Sequence, residues 1–159
     1  MTDRYALDKT DLAMLDLLQE NGRMTNQQLA DNINLTSAPC LRRLKRLEVD
    51  GIVDRYVAIL NRTAVSLEVM ALVNISLNTF SDQGIAEFEQ FIAENKNIIE
   101  CYSVSGEYDF FLKVVAGNIA EIENILLKQL LRLPIVRAAT TTFVLGERKN
   151  TTCLPLKKP

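Results

Sequence analysis

From Leu7 to about Asp50 the apolar residues return at helical spacing and are interrupted twice by polar stretches, which predicts three short helices. Asp8 is placed to cap the first, with Asp11 in the opening turn where the helix dipole favours negative charge. Leu12, Leu15 and Leu18 form its inward stripe and Gly22 ends it. Thr25 and Gln28 have the three-residue spacing of a capping box at the start of the second helix, whose Leu29, Ala30 and Ile33 face inward. Asn32 to Asn34 suits a tight turn, and a third helix opens at Thr36 or Ser37. From Gly51 to Thr63 the residues Ile52, Val53, Tyr56, Val57, Ile59 and Leu60 suit an extended connector, with a domain boundary near Val65.

Beyond that boundary the period changes. Val73, Ile75 and Leu77 alternate with Asn74, Ser76 and Asn78 as in a strand, and Ile85, Phe88 and Ile92 make a helix face. Ile98 to Val104 and Phe110 to Ala116 read as two strands around a Gly106 turn. Ile119, Ile122 and Leu126 give another helix, broken by Pro134, and Val136 to Leu145 a fourth strand. The order β-α-β-β-α-β is that of a ferredoxin-like domain, an antiparallel sheet with both helices on one face. The expected fold class is therefore α+β, with a helix-turn-helix domain over residues 1–64 and the ferredoxin-like domain over 65–159. Phe110 and Phe111 are adjacent and so point to opposite faces, which leaves apolar surface on the uncovered side and predicts that the sheet is a dimer interface.

Composition narrows the chemistry. The chain has 159 residues, 48% of them hydrophobic, and a formal charge of −2. It contains no histidine, and its three cysteines, Cys40, Cys101 and Cys153, are far apart and outside metal-ligand spacing. The commonest general base and the commonest metal ligand are thus missing, so the expectation is no catalytic residue, no metal, no cofactor and no enzyme. No apolar stretch approaches the roughly 20 residues that cross a bilayer, and no leader is visible, so a cytoplasmic protein without a membrane partner is expected.

The third helix carries the sharpest signal. On a wheel of about 100° per residue, Leu41, Leu44 and Leu47 fall with Cys40 on an inward arc. Arg42, Lys45 and Arg46 fall opposite, with Arg43 at the flank. Thr36, Ser37, Ala38 and Pro39 make a small, polar first turn. A recognition helix requires this pattern, cations toward phosphates and base edges and a first turn that allows close approach. A solvated amphipathic helix shows the same pattern, but here the charge is segregated: the segment beyond Val65 is acidic, with Glu87, Glu89, Glu94, Glu100, Glu121 and Glu123. Arg55, Tyr56 and Arg62 of the connector are secondary candidates for the DNA backbone.

These motifs carry a family resemblance. Leu7-Asp8, Asn21-Gly22-Arg23, Leu29-Ala30, the run Leu35 to Arg43, and Leu47-Glu48 with Gly51-Ile52 resemble the N-terminal half of the Lrp/AsnC (leucine-responsive and asparagine regulator) family. Val104-Ser105-Gly106-Glu107-Tyr108-Asp109, Leu130 to Pro134 and the closing Leu154-Pro155-Leu156 resemble its C-terminal regulatory domain. The resemblance implies a winged-helix-like reader of double-stranded DNA, joined by an extended linker to a domain that binds a free amino acid. It also implies dimers that assemble further, often to octamers, and regulation of amino-acid metabolism genes in the cytoplasm, in association with the nucleoid. Asn34 stands where the family commonly has glycine, a departure that Asn tolerates.

The loop from Gly106 to Asp109 is on its own terms a hairpin turn with hydrated acids. By resemblance, Gly106, Tyr108 and Asp109 match effector-pocket positions that lie between dimers, with Asp109 suited to an ammonium group. Ser103, Thr140 and Thr142 are added as residues that could point into the same crevice. Alternatives are an architectural DNA-binding protein, an amino-acid-sensing oligomer without specific DNA binding, and a small enzyme on the ferredoxin-like half.

Overall fold

The structure is a computed structural model and describes residues 6–78 and 81–157. The chain divides into two compact units, one comprising the described residues up to Ile59 together with the segment from Lys149, the other running from Leu60 to Arg148. The sequence division placed residues 149–159 with the sheet; in the structure the described part lies with the helices. Gln19 holds that segment, its Oε1 accepting from Leu154 N–H at 2.6 Å and its Nε2 donating to the Leu154 carbonyl at 3.3 Å. Leu156 packs against the helical core.

The helical unit contains α1 (Lys9–Glu20), α2 (Asn26–Asn32) and α3 (Ser37–Val49). Both expected caps form. Asp8 accepts from Asp11 N–H at 2.8 Å while Asp11 reaches back to Asp8 N–H, and Thr25 and Gln28 do the same at α2. Asn34 turns the chain at φ 55°, in the left-handed region predicted for it. Met14, Leu15, Leu29, Ala30, Cys40 and Leu47 form the core. Cys40 is thus a small core residue, its thiol pushed up by burial. Leu41 departs from the wheel: it is 41% exposed, because 100° of rotation from Cys40 carries it past the edge of the packed face. The connector stays extended without strand pairing among the described residues, and Val57, Ile59 and Leu60 lie exposed.

The second unit has the expected order: β1 (Val69–Leu77), α4 (Asp82–Glu94), β2 (Ile98–Ser103), β3 (Phe110–Ala116), α5 (Ile119–Lys128) and β4 (Val136–Phe143). The sheet runs β2-β3-β1-β4 with every neighbouring pair antiparallel. β4 ends two residues before Leu145, and Val104 follows β2 rather than ending it. Alternation along the strands puts Ala71, Val73, Ile75 and Leu77 of β1 with Leu112, Val114 and Ala116 of β3 against Phe88, Ile122, Ile125 and Leu126 of the helices. Phe110 packs on Phe88 with ring centroids 4.7 Å apart. The register therefore assigns Leu72, Asn74, Tyr102, Phe111, Thr140 and Thr142 to the face that no helix covers.

Candidate functional site

α3 presents the first candidate site. Its start is fixed from α2: Asn26 Nδ2 donates to the Ser37 carbonyl at 2.9 Å, and the Ser37 hydroxyl donates to Gln27 Oε1. Thr36 is the N-cap by position, yet its hydroxyl makes no capping bond; Thr36 and Ala38 are exposed, Pro39 half-buried. With Cys40 and Leu47 buried beneath, the outward side carries Leu41, Arg42 and Lys45. The four predicted cations separate into two kinds. Arg42 and Lys45 are exposed and lie on the outer face, three residues apart and so on one side of the helix. Arg43 and Arg46 turn toward the start of α1.

There Arg43 Nη1 lies 2.7 Å from Asp8 Oδ2 and 2.8 Å from Asp11 Oδ1, and Arg46 Nη2 lies 3.5 Å from Asp11 Oδ2. Asp11 is fully buried. The Asp11 amide, followed by the Arg43 guanidinium, holds the Asp8 carboxyl below the usual carboxylate range despite some desolvation, and Asp8 and then Asp11 push the Arg43 guanidinium up. Arg42, Arg43 and Arg46 together line a cleft of about 230 Å³. In the sequence alone Asp11 has only a dipole role. Its ion pairs were not visible there, because Arg43 lies 32 residues further on.

The connector is also tied down. The Tyr56 hydroxyl donates to Glu48 Oε1 at 3.0 Å, and its ring lies over Gly22, where an added Cβ would meet Cδ1 at 3.4 Å. Arg62 is spent on the Leu67 and Glu68 carbonyls, and Arg55 is exposed beside Asp54.

In the second unit the loop between β2 and β3 holds Gly106 at φ 121° with open space where a Cβ would stand. Asp109 anchors it. Its N–H donates to the Ile75 carbonyl at 2.8 Å, its carbonyl accepts from Val104 N–H at 3.0 Å, and its Oδ2 accepts from Leu77 N–H at 2.7 Å. One carboxylate oxygen is therefore committed to the backbone at the end of β1. Tyr108 is half-buried beside it. Thr140 and Thr142 are exposed on β4, at the opposite edge of the sheet from β2, and the register puts Ser103 on the other face from them. Within one chain these six residues do not converge on a common pocket.

Among the described residues no group of three or more Cys, Asp or Glu is arranged to hold a metal ion, and no helix is long and apolar enough to cross a membrane.

Comparison with known proteins covers both units. The winged helix-turn-helix DNA-binding profile matches residues 7–54, and the Lrp/AsnC ligand binding domain matches residues 70–154. The leucine-responsive regulatory protein of Haemophilus influenzae is 38% identical over 152 residues, 96% of this chain and 92% of that protein. The Bacillus subtilis transcriptional regulator AzlB is 31% identical, over 94% of this chain and 96% of that protein. Among solved structures, a Neisseria meningitidis transcriptional regulator in complex with L-methionine superposes with a TM-score of 0.91 at 37% identity, covering 94% of this chain and 97% of that one. An AsnC family regulator from Agrobacterium tumefaciens gives 0.88 at 30% identity, again over 94% and 97%. With both domains matched in order and relatives alike over nearly their full length, the chain belongs to the Lrp/AsnC family of DNA-binding transcriptional regulators.

Proposed function

We propose that α3 is the DNA-reading element and that Arg42 and Lys45, with the outer side of Arg46, supply its contacts to phosphates and base edges. Thr36, Ser37, Ala38 and Pro39 form a first turn small enough for close approach to the groove. The observation that carries this reading is the division of one helix into a fully buried side, Cys40 and Leu47, and an exposed cationic side with no acidic residue before Glu48.

The ligand of the second unit is a free α-amino acid, taken up near Gly106 and Tyr108 between copies of the chain. Support comes from the open backbone at Gly106 and from the second Asp109 oxygen, which no described group occupies at hydrogen-bond distance. Because Ser103 and the Thr140–Thr142 pair lie at opposite edges of one sheet, a site using both draws them from different copies. Homodimers formed through the uncovered sheet face, assembling further toward octamers, satisfy that requirement and place two α3 helices on one DNA. Effector and DNA are then coupled because both bias one assembly equilibrium. The setting is the cytoplasm, on the nucleoid, and the targets are genes of amino-acid metabolism.

The test is binding of the purified protein to DNA upstream of its own gene, titrated in salt, with and without amino acids. Methionine and leucine come first, since one related regulator is complexed with L-methionine and another is a leucine-responsive regulatory protein. The expected result is selective binding that weakens steeply with salt and is shifted by at least one amino acid; a variant with Arg42 and Lys45 changed to Ala loses it. Binding no tighter than to random DNA and indifferent to that variant rejects the reading.

A further inference from the structure

The pairing of Arg43 and Arg46 with a buried carboxylate is not accounted for by DNA contact. Asp11 is 0% exposed, and its acceptor sites are filled from two elements. Oδ1 takes Arg43 Nη1 at 2.8 Å, and Oδ2 takes Asp8 N–H at 3.1 Å and Arg46 Nη2 at 3.5 Å. Asp8 closes the cluster, accepting Asp11 N–H at 2.8 Å on Oδ1 and Arg43 Nη1 at 2.7 Å on Oδ2. The capping box of α1 is thus also the receptor for two arginines of α3. A carboxylate is held out of water only where such partners satisfy it, and breaking a short charged contact to it is costly, so the arrangement resists displacement. A phosphate that recruited Arg43 would have to break two short charged contacts, one of them to the fully buried Asp11.

The consequence for α3 is geometric. Arg42 and Lys45 each precede an anchored arginine by one residue, so each is rotated about 100° around the axis from its neighbour. Fixing Arg43 and Arg46 against α1 fixes the direction in which Arg42 and Lys45 point. We propose that Asp11 is a positioning residue for DNA reading and that Arg43 is the strut through which it acts, rather than a phosphate ligand. This rests on α3 being the reading helix.

The number of released counterions tells a strut from a phosphate ligand. Each phosphate contact contributes about 0.9 to the slope of log affinity against log salt. The experiment measures affinity of the full-length protein for its own upstream fragment and for random DNA across a salt series. The variants are Arg43→Gln, Arg43→Lys, Asp11→Asn and the double Asp11→Asn/Arg43→Gln, with Arg42→Ala/Lys45→Ala as the phosphate-contact control.

The proposal expects Arg43→Gln and Asp11→Asn each to lose about tenfold in specific affinity, the cost of a misplaced base contact, at the parental salt slope. Their effects do not add in the double variant, and the ratio of specific to random binding falls. Loss of folding in the helical unit would reduce both bindings together. Arg43→Lys, which keeps the charge but lacks the planar fork that reaches both carboxylates, also loses affinity at unchanged slope. It carries the test should the glutamine variant not fold.

A flattened slope in Arg43→Gln, or parental affinity in Arg43→Lys, overturns the proposal. If the Arg42→Ala/Lys45→Ala control changes neither affinity nor slope, α3 does not touch phosphates at all; the reading of α3 then fails, and the strut with it.

Discussion

At Asn34 a side chain occupies a backbone conformation, φ 55°, that glycine enters freely. Asn is among the few other residues that enter it cheaply, so Asn34→Gly is expected to shift the unfolding free energy by no more than about 0.5 kcal/mol. Relief at positive φ is offset by the added freedom of the unfolded chain. Asn34→Val, which brings a branched Cβ against the carbonyl, is expected to cost about 1–2 kcal/mol. Denaturant midpoints of the two variants check both. Tyr56 offers a second residue-level test. Burial, then the Glu48 carboxylate, pushes its phenol from 10.0 up to about 12. The fold thus favours the neutral phenol, and this contribution is complete below the ordinary tyrosine value and is lost as pH rises through about 12. Tyrosinate absorbance of the parent minus that of Tyr56→Phe should show the late titration, and Glu48→Gln should move it earlier. Both residues differ from Asp11 in how far the sequence discloses them. Asn34 and the Asp8 and Thr25 caps act over at most three residues, so spacing reveals them. The Asp11 pairs join residues more than thirty apart, and only the packed α1 and α3 bring them together.

At the level of elements the same contrast holds. Period two in Val73, Ile75 and Leu77 and period 3.6 in Ile85, Phe88 and Ile92 marked β1 and α4 because one side of each is buried in the same core. Val57, Ile59 and Leu60 suit an extended connector and the chain there is extended; a strand would need a partner as well, and among the described residues of one chain none pairs with them. The wheel of α3 was right at Cys40 and Leu47 and wrong at Leu41, since an arc drawn on a circle does not know where the packing partner ends. Packing also decides a position the sequence left unmarked. An added Cβ at Gly84, in the first turn of α4, would stand 2.8 Å from Ile135 Cδ1 and 2.9 Å from Ser81 Oγ. Alanine gains about 1 kcal/mol of helix propensity there, but overpacking costs about 1–3 kcal/mol, and Ile135, buried and with its Cβ only 3.2 Å from the same point, has little room to yield. Gly84→Ala is expected to destabilise the second unit, with Ile135→Val in the same chain recovering part of the loss by removing Cδ1. Thermal melts of the single and double variants measure that recovery, and a double variant less stable than the sum of the two singles would count against the clash.

Whole-molecule behaviour turns on the uncovered face of the sheet. In a four-stranded sheet with both helices on one side, the other side meets water or another surface. Here it carries Tyr102, 53% exposed, next to Phe111 at a ring-centroid distance of 6.4 Å, with Leu72 and the threonines of β4 on the same face. That composition suits a second copy of the same face, apolar at the centre and hydroxylated toward one edge. Tyr102→Glu places a carboxylate in the proposed interface without touching the helix-covered core, and it stands on the same face two residues along β2 from Glu100, whose partner is Lys113 at 3.0 Å. Sedimentation equilibrium is expected to show the variant shifted toward monomer while its far-ultraviolet dichroism stays parental. DNA binding should fall with it, because a monomer engages one half-site only and forfeits the roughly 10²–10⁴-fold advantage of tethering two readers. The salt slope should fall as well, by the phosphates the second α3 would have neutralised. That result differs from the one expected of Asp11→Asn, in which affinity falls and the slope does not, so the two variants separate assembly of the readers from their aim. A variant that stays assembled and binds DNA at the parental slope would mean that the copies meet elsewhere and that Tyr102 faces solvent.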